Sequence, residues 1–383
     1  MSGVVSVAIE TDGHPSPPQN LPRRVLMTVD AVGGVWRYAM DLGAAAQNIG
    51  IEVIFAGFGP PPTVAQADEA NRIGTLEWVP APLDWTAAAE QELTRVPWLL
   101  EKLVAQHSVD LLHVNLPSQA VGIDEDIPVV AVSHSCVATW FQSVRGAQPP
   151  PDWLWHKRLN SEGFKRANVV LSPSASHAAA LMRCYGAIKR IVVVHNATRC
   201  SCRNTQKQHF VFAAGRWWDD GKNGAVLDAA AARIDWPVLM AGACTGPDGQ
   251  RITLDHANSP GELSHPEVTK LMSRASVVVS PSIYEPFGLV ALEAARVGAA
   301  LVLADIPSYR ELWDGVAVFA DPQDPVAFAD AVNAFIYDPA RTIDFARRAQ
   351  MRSTDFTPEA QRDGVLNAYR QAMHAFPQPA TEG

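Results

Sequence analysis

The chain has 383 residues, of which 48% are hydrophobic and 19% are charged, and its formal net charge is −9. This length predicts two domains, because a domain takes about 100–200 residues, and the apolar fraction excludes a disordered chain. The acidic balance argues against a nucleic-acid partner, since a protein that binds nucleic acid carries a basic surface.

The two ends of the chain carry no targeting pattern that we recognise. Residues 1–22 contain four prolines among small polar residues and predict a flexible leader, and residues 377–383 predict a tail. No stretch reaches the roughly 18 apolar residues of a membrane span, and no signal peptide is indicated. We therefore expect a cytoplasmic protein.

Short apolar runs rich in Val and Ile alternate with helical periodicity over residues 23–200. Runs that are apolar on both faces and separated by helices indicate parallel strands buried on both sides. This pattern predicts a first Rossmann-like domain over 23–200. The predicted strands are 25–29, 51–56, 109–114, 128–133, 168–171 and 191–194.

The same pattern begins again after a polar segment at 198–208, and predicts a second doubly wound α/β domain over 201–357. Its predicted strands are 210–214, 237–241, 251–254, 276–280, 300–304 and 317–319. A last helical pattern at 358–376 is followed by no strand, and we expect this helix to return to the first domain. Ligands of open α/β sheets bind beyond the carboxyl ends of the strands, so site residues are sought there.

The first such position is a glycine pair, Gly33 and Gly34, between a strand and a helix. Glycines allow the backbone to approach a ligand closely, and the helix N–H groups beyond them favour an anion. The third glycine of a dinucleotide fingerprint is missing, and so is the Gly-Lys-Ser/Thr of a P-loop. A simple tight turn uses the same glycines, so both interpretations remain open.

The second position is a loop that begins at Gly215 and carries Arg216 and Lys222. Arg offers a planar fork for phosphate oxygens and Lys a mobile charge, so together they suit a diphosphate. The alternative is a pair of solvated cations that interact with Asp219 and Asp220.

The third position is the string Glu285-Pro286-Phe287-Gly288-Leu289, which ends a strand and begins a helix that carries Glu293. The free N–H groups of residues 287–289 make an anion site. Glu285 and Glu293 lie up to roughly 12 Å apart along a helix axis, so they suit hydroxyls at two ends of one extended ligand. A sugar nucleotide has that shape.

Together these motifs resemble glycosyltransferase family 4, whose members are retaining sugar-nucleotide transferases with two Rossmann-like domains. The resemblance implies a GT-B fold, in which two α/β domains face each other across a cleft. It is dense over residues 210–340 and thinner over 24–200. The matching positions are Glu285 and Glu293 of a Glu-x7-Glu motif, Gly215, Arg216 and Lys222, Gly33 and Gly34, and the segments 172–175, 305–312 and 317–324.

The resemblance also implies roles for single residues. Arg216 and Lys222 would neutralise the donor diphosphate, Glu293 would hold the ribose hydroxyls, and Glu285 would contact the donor sugar. Catalytic candidates are thus Glu285, Arg216, Lys222 and His134, the last following a strand where the family often has a His-Asp pair; here the pair is His134-Ser135. Donor-binding candidates are Gly33, Gly34, Gly215, Phe287, Gly288, Leu289 and Glu293.

The chemistry that the resemblance implies is transfer of a hexose from a nucleotide diphosphate sugar, with uridine favoured by family prevalence. Retention would follow from front-side attack by a hydroxyl of a glycan or lipid-linked acceptor, without a metal ion or other cofactor. Three alternatives stay open. They are a sugar-nucleotide epimerase, a glycan phosphorylase on a similar scaffold and a non-catalytic module that binds nucleotide sugars.

Acceptor recognition is expected in the first domain, with His113, Asn115 and Trp153 as candidates. The segment 152–166 mixes indoles with cations on a predicted helix. It could stack on a sugar or lie peripherally on the inner face of a membrane that bears the acceptor. The simpler interpretation is a partly buried helix with solvated cations.

Five scattered cysteines, an odd number, favour reduced thiols over a disulfide framework. Four residues could form a zinc site, namely His195, Cys200, Cys202 and His209. Cys-x-Cys is not the usual ligand spacing, so loop thiols and surface imidazoles are preferred.

Overall fold

The structure is a computed structural model that describes residues 20–124, 126–200, 205–246 and 249–376. Most of the predicted leader and the tail at 377–383 therefore lie outside the described residues. Within the described ranges the chain forms two parallel sheets flanked by helices, which confirms the predicted α/β class.

The first sheet has seven parallel strands in the order β3-β2-β1-β4-β5-β6-β7. Its central strands are buried along their whole length because helices cover both faces. The strands are β1 Arg24–Asp30, β2 Glu52–Phe58, β3 Thr75–Trp78, β4 Leu111–Val114, β5 Val129–Val132, β6 Val169–Ser172 and β7 Ile191–Val193. The helices are α1 Gly34–Gln47, α2 Val64–Ile73, α3 Val96–His107, α4 Val137–Arg145, α5 Leu154–Arg166 and α6 Ala175–Tyr185.

The second sheet has five parallel strands in the order β12-β11-β10-β8-β9. The strands are β8 Gln208–Ala214, β9 Val238–Ala241, β10 Ala275–Ser280, β11 Ala300–Ala304 and β12 Val318–Ala320. The helices are α7 Gly224–Ala231, α8 His265–Arg274, α9 Leu289–Arg296, α10 Pro307–Trp313, α11 Pro325–Ile336 and α12 Pro339–Ser353.

Two strand predictions differ from the structure. The strand β3 at Thr75–Trp78 was not predicted, because this short edge strand is only half-buried and has no apolar run. The predicted strand at 251–254 is wrong. There Arg251 forms only an isolated bridge with Thr245, and the segment alternates between exposed and half-buried residues outside the sheet.

A last helix, α13 (Pro358–His374), leaves the second domain and packs on the first sheet. Its residues Val365, Leu366 and Tyr369 are buried in the first-domain core. Burial of each such side chain contributes about 1.5–3 kcal/mol, so the helix is a structural part of the first domain. The chain therefore crosses between the domains twice, and the carboxyl edges of the two sheets meet between them.

Candidate active site

The loop after β8 is held in shape by its own polar residues. The Asp219 carboxylate accepts the Gly221 N–H at 2.9 Å. Asn223 has left-handed backbone geometry with φ 58°, and its amide donates to the carbonyls of Pro281 (3.0 Å) and Pro322 (2.7 Å). These bonds fasten the loop to the segments that follow β10 and β12.

As a result, Lys222 and Glu285 meet, although 63 residues separate them in the sequence. The Lys222 ammonium donates to Glu285 Oε2 at 2.5 Å, and the two side chains are 21% and 17% exposed. Water is thus largely excluded from the pair, although part of each side chain stays exposed. The Glu285 backbone is fixed as well, because its carbonyl accepts from Ser308 Oγ at 2.5 Å.

The glycine pair of the first domain faces the second domain. A Cβ added to Gly33 would lie 3.7 Å from Arg216 Nη1, and one added to Gly34 would lie 3.3 Å from Leu289 Cδ1. Gly33 has a φ of +94°, a backbone angle that residues other than glycine rarely adopt. The N-terminal ends of α1 and α9 therefore approach one space beside Arg216. Two helix N-termini and a guanidinium suit a phosphate.

Two acidic residues border this space. Asp30, at the end of β1, is buried, and this burial raises the pKa of its carboxyl to about 6, against the lowering effects of the Val32 N–H and the Arg216 charge. Glu293 is 5% exposed and accepts from His265 Nε2 at 2.9 Å. This bond raises the pKa of His265 above its ordinary value. Phe287 is buried against Phe356, so only its backbone can contact a ligand.

His134 lies at the end of β5 in a fixed orientation. Asn115 Nδ2 donates to the Thr28 carbonyl at 2.6 Å, which leaves Asn115 Oδ1 to accept from His134 Nε2 at 2.8 Å. His134 therefore carries its proton on Nε2 and presents Nδ1 as an acceptor. Burial lowers the pKa of His134 to about 3, so the ring is neutral. Tyr38 packs edge-on against it at 4.4 Å.

The acceptor candidates occupy different environments. His113 has no exposed surface and shares a hydrogen bond of 2.9 Å with the Tyr369 hydroxyl, so its ring is covered by α13 in this structure. Asn115 is 2% exposed and orients His134 instead. Trp153 is 43% exposed and stacks on His156 at 5.1 Å.

The helix beyond Trp153 presents cations that already have partners. Lys157 donates to Gln148 at 2.9 Å, and Arg158 pairs with both Glu90 and Glu162. This arrangement agrees with the simpler interpretation of a partly buried helix whose cations face solvent. None of the helices in the described ranges is long and apolar enough to cross a membrane.

The two histidines of the suggested zinc cluster pack against different aromatic side chains. The His195 ring packs against Phe356 at 5.3 Å, whereas His209 stacks on Trp236 at 4.6 Å. Cys202 lies outside the described residues. Among the residues that the structure does describe, no three His, Cys, Asp or Glu side chains form a group that could hold a metal ion.

Sequence reasoning missed the contacts that join the domains beside the site. Glu311 accepts the backbone N–H groups of Ala175 (2.8 Å) and Ser176 (2.7 Å), and Ser174 Oγ donates to the Pro286 carbonyl at 2.6 Å. Ser174 and Glu311 both lie in segments that match the family, and this was the available signal. The partners could not be predicted, because 112 positions separate Ser174 from Pro286 and 136 separate Ala175 from Glu311.

A second set of contacts links α4 to the loop after β8 (residues 215–223), called the donor-side loop below, and to Tyr284 beyond β10. Trp140 Nε1 donates to Asp219 at 3.0 Å, and the Thr139 and Tyr284 hydroxyls share a bond of 2.7 Å. Arg145 also pairs with Asp220. The alternative that Arg216 and Lys222 interact with Asp219 and Asp220 holds for Arg216 and Asp219, which lie 3.7 Å apart.

Two facing parallel-sheet domains with a cationic loop between them are typical of GT-B sugar-nucleotide glycosyltransferases. Comparison with family models gives the family. Glycosyltransferase Family 4 matches residues 32–201, and Glycosyl transferases group 1 matches residues 249–352. The chain belongs to this family of hexosyltransferases, which confirms the resemblance seen in the motifs.

Individual relatives support the same assignment. The chain is 25% identical to a glycogen synthase of Mycobacterium tuberculosis over 91% of its own length and 93% of that protein. Its fold is similar to sucrose-phosphate synthase from Thermosynechococcus elongatus, with a TM-score of 0.76, 19% identity and coverage of 92% and 100%. It is also similar to Anabaena HepE in complex with UDP and glucose, with a TM-score of 0.72, 17% identity and coverage of 90% and 99%.

Proposed function

We propose that the protein transfers a hexose, with retention, from a uridine diphosphate sugar to a hydroxyl group of a glycan. The observation that carries the proposal is the convergence of Arg216, Lys222 and the N-terminal ends of α1 and α9 on one space between the domains. The glycan acceptor and the uridine donor are favoured by the glycogen synthase relative and by HepE, whose structure holds UDP and glucose.

The proposed donor complex uses the residues as the structure arranges them. Arg216 and Lys222 neutralise the diphosphate, and the first amides of α1 and α9 donate to its oxygens. Glu293, held on one oxygen by His265, accepts from the ribose hydroxyls. Glu285 accepts from hydroxyls of the hexose, while the Lys222 ammonium holds its carboxylate in place.

The proposed reaction breaks the bond between the anomeric carbon and the diphosphate oxygen, whose electron pair stays on the diphosphate. Cations and helix amides that are already in position stabilise this developing negative charge and lower the barrier. The acceptor hydroxyl forms its bond to the anomeric carbon on the same face and passes its proton to the departing diphosphate. We assign the charge neutralisation to Arg216 and Lys222, so no divalent ion is required. Addition of a chelator should leave the rate unchanged.

The test measures UDP release from UDP-glucose with and without glycogen, together with the anomeric configuration of the product by NMR. Lys222→Met should lower kcat/KM by a factor of about 10²–10³, which is the usual effect of removing one preorganised donor. Lys270→Met is the matched control, since Lys270 is an exposed lysine of the same domain. Its rate should equal that of the parent protein.

Other outcomes would support the alternatives and contradict the proposal. Interconversion of the sugar nucleotide without an acceptor would indicate an epimerase, and phosphate-dependent release of a sugar phosphate would indicate a phosphorylase. Binding of UDP-glucose without turnover in any acceptor panel, including lipid-linked sugars, would indicate a binding module. An inverted product would refute the front-side mechanism alone.

A further inference from the structure

His265 begins α8 at a position where the helix itself disfavours a positive charge. Ser264 is the N-cap of α8, and its N–H and hydroxyl donate to the Glu267 carboxylate at 2.9 and 2.6 Å in a capping box. The imidazole therefore lies at the positive end of the helix dipole, which opposes a cation. A residue that breaks such a local rule is compensated elsewhere, and positions of this kind are expected at functional sites.

The compensating contact is Glu293 of α9. The His265 Nε2 atom lies 2.9 Å from Glu293 Oε1, and the two side chains are 45% and 7% exposed. A carboxylate that is buried this deeply needs a counter-charge. The hydrogen bond to Glu293 raises the pKa of His265, although burial and the charge of Arg37 act in the opposite direction. The residue that we place at the ribose thus favours the protonated imidazole.

Charged groups of α1 also act on His265, but they are engaged with one another. Arg37 forms salt bridges with Asp41 at 3.3 Å and with Glu69 of α2 at 2.6 Å. Asp41 pairs in addition with Arg199 at 3.2 Å. Arg37 therefore already serves two carboxylates, and it is a poor substitute for His265 as the counter-charge of a third.

The elements that pack against α8 in its own domain are β8, β10 and α9. The sequence of β10 has no ionisable side chain. His209 of β8 stacks on Trp236 at 4.6 Å, and Arg296 of α9 donates to the carbonyls of Ser353 and Phe356. Within α8, Lys270 and Arg274 lie more than one turn beyond His265. Loss of the His265 proton would therefore leave the negative charge of Glu293 largely uncompensated.

The proton of His265 changes the charge at this end of the proposed donor site and leaves its hydrogen bond in place. With the proton, the pair of His265 and Glu293 is neutral. Without it, the imidazole still donates Nε2–H, but Glu293 is a net negative charge at the border of the space that suits the diphosphate. Like charges repel more strongly in a partly buried site than in water, so the donor should then bind more weakly.

We propose that protonated His265 is a positioning residue of the donor site, which holds Glu293 towards the ribose and cancels its charge against the donor diphosphate. The proposal rests on the proposed function and adds a pH-dependent donor affinity that does not involve the reacting atoms.

The experiment measures the Kd of UDP-glucose for the full chain by calorimetry between pH 6 and 9, without an acceptor. The diphosphate of UDP-glucose lacks the terminal phosphate ionisation that UDP has near pH 6. His265→Arg keeps a permanent cation that can donate to Glu293, whereas His265→Gln keeps a donor without the charge. Asp30, whose pKa is raised to about 6, titrates in all three proteins, so its effect cancels in the comparison.

The Gln variant should bind UDP-glucose about fivefold more weakly than the Arg variant throughout this range. The parent should resemble the Arg variant at pH 6 and the Gln variant at pH 9. With an acceptor, the variants should change the KM for UDP-glucose and leave kcat unchanged. His374→Gln is the matched control, because His374 is an exposed histidine at the end of α13, and its pH profile should equal that of the parent.

Three results would overturn the proposal. They are equal affinities of the Arg and Gln variants, a parent profile that runs parallel to both variants, and a change in kcat without a change in KM. UDP-glucose that binds to the parent but is transferred to no acceptor would refute the proposed function, and the binding profiles would still decide the role of His265. Absence of UDP-glucose binding to the parent would refute both.

Discussion

Glu311 makes the contact between the domains that can be tested most sharply. Burial opposes ionisation of its carboxyl, but the His195 imidazole at 3.8 Å and the amides of Ser176 and Ala175 prevail and lower the pKa from 4.5 to about 2. At 1.36 kcal/mol per pKa unit this difference corresponds to about 3 kcal/mol. The side chain is 24% exposed, so we expect Glu311→Gln to cost about 2 kcal/mol, within the range for charge-assisted hydrogen bonds.

The pH dependence gives the sign of this effect. Because the folded pKa lies below the unfolded one, the stabilisation is present above about pH 4.5 and is lost as the pH falls towards 2. Urea unfolding of parent and variant should therefore differ most at pH 7, and by roughly 1 kcal/mol less at pH 4.

The matched control is Asp314→Asn, which makes the same change in charge at the end of the same helix. Asp314 is 71% exposed in its pair with Arg310, and such pairs contribute about 0–1 kcal/mol. Equal effects of Glu311→Gln and Asp314→Asn at pH 7, or an effect of Glu311→Gln that grows towards pH 4, would refute the reasoning.

Three further predictions concern the site itself. Asp30→Asn should raise the free energy of unfolding by about 2 kcal/mol at pH 8 and not at pH 4, because burial raises the folded pKa to about 6 and penalises the ionised form above it; urea unfolding checks this, and destabilisation at pH 8 would contradict it. His265→Gln should lower the Tm most at pH 6 and less towards pH 9, since a raised histidine pKa stabilises the fold below 6.5 and this stabilisation is lost as the pH rises through the folded value; a constant difference would speak against the bond to Glu293. Trp140→Phe should cost about 1 kcal/mol and weaken UDP binding in calorimetry, since Asp219 loses its indole donor; unchanged binding would show that the loop does not depend on this bond.

The sequence predicted most of the fold because parallel strands covered on both faces have a simple signature. The run at 300–304 is apolar throughout, the run at 128–133 is apolar except for Ser133, and each contains a fully buried strand. The signature fails at sheet edges, where one side of a strand meets solvent. Thr75–Trp78 is such an edge strand, and 251–254 is an alternating segment whose half-buried Ile252 packs on the core from outside the sheet.

The candidate site was only partly predictable for a different reason. A motif identifies residues within one short segment, such as Gly33 or Lys222, whose role depends on the local backbone. Motifs do not show which residues become neighbours when two domains meet. His265 carries no motif, yet it holds Glu293 on one oxygen. His113, in contrast, lies near the carboxyl end of a strand, where site residues are expected, but Tyr369 of the returning helix covers it.

Contact between the domains and order in the donor-side loop depend on the same atoms. Asp219 Oδ1 accepts both the Gly221 N–H, which shapes the loop, and the Trp140 indole N–H from the first domain. The Gly221 carbonyl in turn accepts the Tyr284 N–H, and the Tyr284 hydroxyl bonds to Thr139 of the first domain. Separation of the domains would remove the Trp140 and Thr139 bonds from the loop that positions Lys222. The structure therefore couples order in this loop to contact between the domains.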